Sequence, residues 1–130
     1  MTAFVDTNIL VRHLTGNPPA MAKRATAFLA SQPELYLADL IVAETVYVLE
    51  SFYKAPRDQV AMAMRSLIAM RSMLTVDPAL LLRAVEVYEV DRLDFAEAYL
   101  VACAERTGVG SIASFDQAID RVTTVTRMEP

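Results

Sequence analysis

Five acidic residues are spaced as if to serve one site. Asp6 ends the run Thr2-Ala3-Phe4-Val5 and is followed by Thr7-Asn8 and then by apolar residues at helical spacing. Glu44 stands inside Leu40-Ile41-Val42-Ala43-Glu44-Thr45-Val46-Tyr47-Val48-Leu49, apolar on nearly every side. Asp94 and Glu97 lie three apart in Leu93-Asp94-Phe95-Ala96-Glu97-Ala98, which puts them on one helix face. Asp116 follows Ser111-Ile112-Ala113-Ser114-Phe115. A glutamate within so apolar a stretch is expected to be desolvated, which raises its pKa unless a cation holds it. Several carboxylates do not crowd together without a proton or a metal between them. Hard oxygen donors, with no set of cysteines or histidines nearby, favour Mg²⁺ or Mn²⁺ over zinc. A divalent ion held this way can make a nucleophile of water and stabilise a phosphoryl transition state. His13 and Cys103, the only softer candidates, read as packing residues on helices.

Each acid also has a plainer explanation. Any of them can serve in an ordinary salt bridge. Asp94 reads equally well as a helix N-cap with Glu97 at the third helical position, as in a capping box. What sets the group apart is that every member falls at a strand end or on an apolar helix face.

The elements that must position these acids follow from turn signals and periodicity. Strands are expected at Phe4-Val5, Leu35 to Leu37, Met73 to Val76, Gly110 to Ala113 and Val122 to Thr126. A short helix through Ile9, Leu10 and Leu14 ends at Gly16-Asn17-Pro18-Pro19. Longer helices are expected from Ala20 to Ser31, from an Asp39 cap to about Tyr53, and from Pro56 to about Arg71. Another runs from Asp77-Pro78, at N-cap and N1, to about Val90, and one from Asp94 to Gly108. A short helix covers Phe115 to Ile119. Strands alternating with helices predict an α/β fold with a central, mostly parallel sheet covered on both faces. An acid closing such a strand stands at the carboxyl edge of the sheet, where open α/β sheets bind ligands.

The 130 residues suffice for one domain, 1–130, with a real core, and no repeat or linker interrupts them. Apolar residues make up 55% of the chain and glycine occurs only three times, which excludes a disordered or collagenous chain. No apolar run is long enough to span a membrane, and no basic leader precedes the first strand. The single cysteine, Cys103, excludes an internal disulfide and fits a reducing, cytoplasmic setting. The net charge of −4 argues against a surface that is basic all over, but not against a nuclease, whose acidic site lowers the total. Ten of the twelve basic residues are arginine, a type suited to bidentate phosphate contacts and also favoured by GC-rich genomes.

At Val5-Asp6-Thr7-Asn8-Ile9-Leu10, Glu44, Asp94-Phe95-Ala96-Glu97-Ala98 and Ser114-Phe115-Asp116 the chain resembles the PIN-domain ribonucleases, in particular the small VapC-type toxins of toxin–antitoxin pairs. The resemblance covers almost the whole chain. It implies a three-layer α/β/α sandwich and Mg²⁺- or Mn²⁺-dependent cleavage of RNA, with transfer and ribosomal RNA both possible targets. By position, Asp6, Glu44 and Asp116 match the family's acids. The acid between them is usually aspartate, in an Asp-Phe-Ala-Asp-Ala-like stretch. Glu97 is its closest match and is one methylene longer, while Asp94 matches the other acid of that stretch. Asn8 and Ser114 match polar positions that orient ligands or water. Thr7 could do the same, though as a residue type it suits an N-cap. The resemblance also implies a homodimer and a small antitoxin, expected to lay a helix on the protein and place a basic side chain near the acids.

Other functions fit less well. A signalling receiver domain needs paired acids after the first strand and a late lysine, yet Thr7-Asn8 follows Asp6 and no lysine lies beyond Lys54. A haloacid-dehalogenase-type phosphatase expects aspartate at position 8, which is Asn8. A catalytically weak PIN-fold module that binds RNA or protein remains the alternative, with Glu97 as its rationale. Arg12, Lys23, Arg24 and Arg57 are candidates for contacts to an RNA backbone. Leu40 to Tyr53 and Val60 to Met73 carry more apolar residues than one buried stripe needs, with Met62, Met64, Met70 and Met73 divided between core and partner surface.

Overall fold

Short apolar runs that follow turn residues become parallel strands, and the amphipathic stretches between them become helices. The computed structural model describes residues 2–130 and contains two compact units, one ending at Val76 and the other spanning Asp77–Pro130.

The first unit runs β1 (Ala3–Phe4), α1 (Thr7–Thr15), α2 (Pro19–Ser31), β2 (Leu35–Tyr36), α3 (Asp39–Ser51), α4 (Arg57–Ala69) and β3 (Met73–Leu74). Its three strands pair in the order β1-β2-β3, all parallel, with Ala3 opposite Leu35 and Leu35 opposite Met73. Parallel neighbours need long crossovers, and the helix pairs α1–α2 and α3–α4 supply them. The Val5 N–H donates to the Tyr36 carbonyl at 3.0 Å and the Leu37 N–H to the Leu74 carbonyl at 2.8 Å. These bonds extend the ladder to its carboxyl edge, where Asp6 leaves β1 and α3 begins. Leu35 and Leu37 on the central strand are buried, as are Leu10, Val42, Val46, Met64 and Leu67 on the helices. Each such side chain contributes roughly 1.5–3 kcal/mol by leaving water. Gly16 ends α1 at φ 70, a left-handed conformation that glycine adopts without a Cβ penalty.

Two expectations about α3 change. Asp39 is its first helical residue, and the N-cap position belongs to Ala38. Glu44 is exposed rather than desolvated. The buried stripe of α3 is Val42, Thr45, Val46 and Leu49. Leu40 and Tyr47, one helical turn either side of Glu44, are themselves surface residues, 76% and 67% exposed. The apolar surroundings of Glu44 are therefore surface, not core. Phe52 and Met62 are also exposed, whereas Met64 and Met73 pack inside.

The second unit runs α5 (Pro78–Glu86), a π-helical turn (Val87–Asp91), α6 (Phe95–Thr107), β4 (Ser111–Ala113), a 3₁₀ turn (Gln117–Arg121) and β5 (Thr126–Met128). Asp77 caps α5, its carboxylate accepting the Leu80 N–H at 3.2 Å, and Pro78 occupies N1. The helix expected to run unbroken to Val90 changes to the π-helical turn at Val87 and ends with Arg92 in the left-handed region at φ 61. Helices α5 and α6 are pinned together by Arg83, whose Nε and Nη2 donate to Glu105 at 2.8 and 2.9 Å. Edge-on packing of Tyr88 against Phe95, with ring centroids 5.9 Å apart, closes the pair at the other end. Strands β4 and β5 are parallel, Ser111 facing Thr126. Pairing starts later than the expected Val122, because the Val122 N–H closes the 3₁₀ turn onto the Ile119 carbonyl at 3.1 Å. No helix among the described residues is long and apolar enough to cross a membrane.

Candidate active site

In the first unit, the step from β1 into α1 presents Asp6. Its backbone is extended, at φ −94 and ψ 158, and its Oδ1 accepts the Thr7 N–H at 2.8 Å. Asp6 is thus the N-cap, and Thr7, the residue type suited to that role, is the first helical residue. An ionised cap is favoured at the positive end of a helix dipole. Thr7 is buried, and its Oγ1 has no hydrogen-bond partner. Asp6 and Glu44 line one open hollow of about 320 Å³, together with Thr7, Asn8, Arg12 and Tyr53. Two of the predicted acids are brought together here, both exposed.

In the second unit, Asp94, Glu97 and Asp116 form a group of their own. Asp94 is the N-cap residue of α6, but its side chain makes no capping bond. Glu97, at the third helical position, accepts the Asp94 backbone N–H, which is half of the expected capping box. Glu97 also shares a hydrogen bond with Asp116. Burial, then this bond, then the negative charges of Asp116 and Asp94 push the Glu97 carboxyl up to about 7. Asp116 moves the other way. The Ala118 N–H, donating at 2.9 Å, holds its carboxylate below the usual range, helped by Glu97 and by the charges of Arg121 and Arg127. The pair therefore favours a proton on Glu97 over one on Asp116.

Ser114 shapes this corner: its Oγ accepts the Asp116 N–H at 2.9 Å, leaving the hydroxyl proton available to a ligand. Two positioning residues escaped the sequence reading. Arg127 holds Asp120 through Nε at 3.0 Å and Nη2 at 3.1 Å, and donates to the Ser114 carbonyl at 3.0 Å. Arg121 donates to the Arg92 carbonyl at 3.1 Å and the Asp91 carbonyl at 3.4 Å, tying the 3₁₀ turn after Asp116 to the chain just before Asp94. The one sequence signal for Arg121 is its place five residues after Asp116.

Of the candidate cations, Arg12 is half-buried in the hollow beside Asp6, Arg57 is half-buried, and Lys23 and Arg24 are exposed. His13 binds Thr26 through Nδ1 at 2.8 Å, and Cys103 is a half-buried free thiol. Among the described residues, no three His, Cys, Asp or Glu side chains converge as a ready-made metal cage. The donors nonetheless suit a hard divalent ion: they are carboxylate oxygens, and Asp94, Glu97 and Asp116 lie close enough to act on one another.

The sequence profile of the PIN domain matches residues 3–125. The chain belongs to the PIN domain family. Its parallel strands and intervening helices are the α/β architecture of a PIN fold. Among solved structures, the chain is similar to Mycobacterium tuberculosis VapC20, described as a sarcin-ricin loop cleaving toxin. The identity is 20%, with 91% of this chain and 92% of that chain covered, at a TM-score of 0.45. A comparison with curated proteins finds no match.

Proposed function

We propose that this PIN domain is a divalent-metal-dependent endoribonuclease, the toxin of a toxin–antitoxin pair, working in the cytoplasm. The observation that carries this proposal is the PIN-domain match over residues 3–125, with Asp94, Glu97 and Asp116 close enough in the second unit to act on one another. Asp6 and Glu44 in the first unit, and Asp94, Glu97 and Asp116 in the second, would offer carboxylate oxygens to Mg²⁺ or Mn²⁺. When bound, the ion supplies the positive charge that eases ionisation of a water and stabilises negative charge growing on the phosphate. To serve as a ligand, Glu97 would release its proton to the solvent. Asp6 keeps its second oxygen free while the first is fixed on the Thr7 N–H. Asn8, exposed in the first turn of α1 and lining the same hollow as Asp6, would orient the water or the phosphate.

A small antitoxin and a homodimer complete the proposal. The exposed Leu40, Tyr47, Phe52 and Met62 supply apolar surface for such partners. A basic antitoxin side chain near the acids would compete with the metal.

The test is cleavage of a structured RNA pool by purified protein with Mg²⁺ or Mn²⁺, with EDTA, and as Asp6→Asn. Discrete fragments lost with EDTA and with the variant are expected. No cleavage by folded, antitoxin-free protein would overturn the nuclease and favour a binding module.

A further inference from the structure

The hollow that holds Asp6 and Glu44 is not isolated within the first unit. A second hollow, also about 320 Å³, opens between α1 and α2, lined by Asn8, Ile9, Arg12, Arg24, Ala25 and Phe28. Asn8 and Arg12 line both hollows, so the two are adjacent along α1. Asn8 and Arg12 are one turn apart on α1, and Arg24 and Phe28 one turn apart on α2, so each pair shares a helix face.

Two features need explaining. The Arg12 Nε is buried without a hydrogen-bond acceptor, and such orphan donors are rare because each costs its full desolvation. In addition, among the described residues neither Arg12 nor Arg24 is in an ion pair, whereas Arg83, Arg106 and Arg127 each hold a carboxylate. Evolution of a merely solvated arginine does not require a cavity around it. The Arg12 Nε is closed to solvent and is not reached by a ligand, but an anion with several acceptor oxygens answers the second feature, since a guanidinium presents a rigid fork of donors that matches phosphate. Phe28, 40% exposed, lines the same hollow and supplies an aromatic ring to it.

We infer that this hollow is a nucleotide subsite in which Arg12 and Arg24 grip a phosphodiester of a bound RNA strand and Phe28 stacks on one of its bases. It deepens the nuclease proposal and rests on it for the identity of the strand. The shared Asn8 and Arg12 make this subsite the neighbour of Asp6 and Glu44, so it selects which phosphate along the strand stands at those carboxylates. Base stacking on an aromatic side chain tolerates any base. The subsite therefore sets register and affinity, not base identity.

Binding and cleavage are measured separately. The inactive Asp6→Asn protein is titrated in EDTA with a short, labelled single-stranded RNA of mixed sequence over a range of salt. In that background Phe28→Ala and Arg24→Gln are each expected to weaken binding about tenfold. Arg24→Gln should also lower the slope of log affinity against log salt by about one phosphate contact. Arg71→Gln, an exposed arginine that lines neither hollow, is the control for general loss of charge. Thermal melts confirm folding, and Phe28→Leu, which keeps the apolar volume but removes the ring, replaces Phe28→Ala if that variant unfolds. Unchanged affinity and salt slope in the Phe28 and Arg24 variants, or an equal effect of Arg71→Gln, would overturn the subsite even if the wild-type protein cleaves RNA. Conversely, Arg24-dependent binding by a protein that cleaves nothing with any metal would retain the subsite and remove the nuclease.

Discussion

Replacing Glu97 with glutamine should invert the response of the metal-free protein to pH. The Glu97 carboxyl is raised from 4.5 to about 7, chiefly by burial and then by Asp116 and Asp94. Between those two values the folded chain holds a proton that the unfolded chain has released. Stability from this group is fully present below about pH 4.5 and is lost as pH rises through about 7. The full shift corresponds to about 3 kcal/mol at about 1.4 kcal/mol per unit. Glu97 is only half-buried, so solvent screening reduces the expected loss to about 1–2 kcal/mol between pH 5 and pH 8. Asp116 and Glu105 are shifted downward, so their contributions change below their ordinary values and lie outside this window. Glutamine keeps the shape, can donate to Asp116, and never ionises. Urea unfolding in EDTA at several pH values, read for wild type and Glu97→Gln, isolates the effect from every other titrating group. A saturating divalent ion should abolish the wild-type decline, because the cation stabilises the ionised carboxylates, and its affinity should climb up to about pH 7. The reasoning fails if metal-free wild type grows more stable from pH 5 to 8, or if the variant keeps the same slope.

Other outcomes follow from single contacts. Asp6→Asn should abolish metal-dependent cleavage yet change stability by no more than about 0.5 kcal/mol, since asparagine also caps a helix, whereas Asp6→Ala should cost about 1 kcal/mol in a denaturant melt. Arg83→Ala removes the two bonds that pin α5 to α6 and should cost about 1–2 kcal/mol. Because Arg83 is the main cause of the lowered Glu105 pKa, wild type loses that stability as pH falls below the ordinary carboxylate range, and the variant should show a weaker acid response. Arg121→Ala frees the turn before Asp94 from the turn after Asp116 and should weaken Mg²⁺ binding about tenfold by calorimetry, with partial rescue in Arg121→Lys. Unchanged Mg²⁺ affinity would show that Arg121 does not position the acids.

What the sequence makes legible here is whatever local chemistry decides. Asp77-Pro78 and the glycines at 16 and 108 mark helix ends because capping and left-handed turns are set by the residue on the spot. Asp6 is legible as the acid at a strand's end for the same reason. Its exchange of roles with Thr7 is not, since both residue types can cap and only the backbone path decides which does. Glu44 shows a different failure. Counting apolar neighbours measures apolarity, not burial, and α3 is apolar on its outward face as well. Arg121 shows a third, for its bonds reach back 29 and 30 residues and leave no periodic trace.

Glu97 joins these levels. In the sequence it is a departure from the aspartate that its family usually has there. In the structure its carboxyl group meets both the Asp94 N–H that begins α6 and the Asp116 carboxylate that follows β4. The capping bond favours an ionised Glu97, while burial and Asp116 favour a protonated one, and the balance lies near neutral pH. A helix cap that tolerates either state would let the same side chain release its proton to a bound cation without unravelling the first turn of α6. The substitution therefore gives no physical ground for reading the site as inactive.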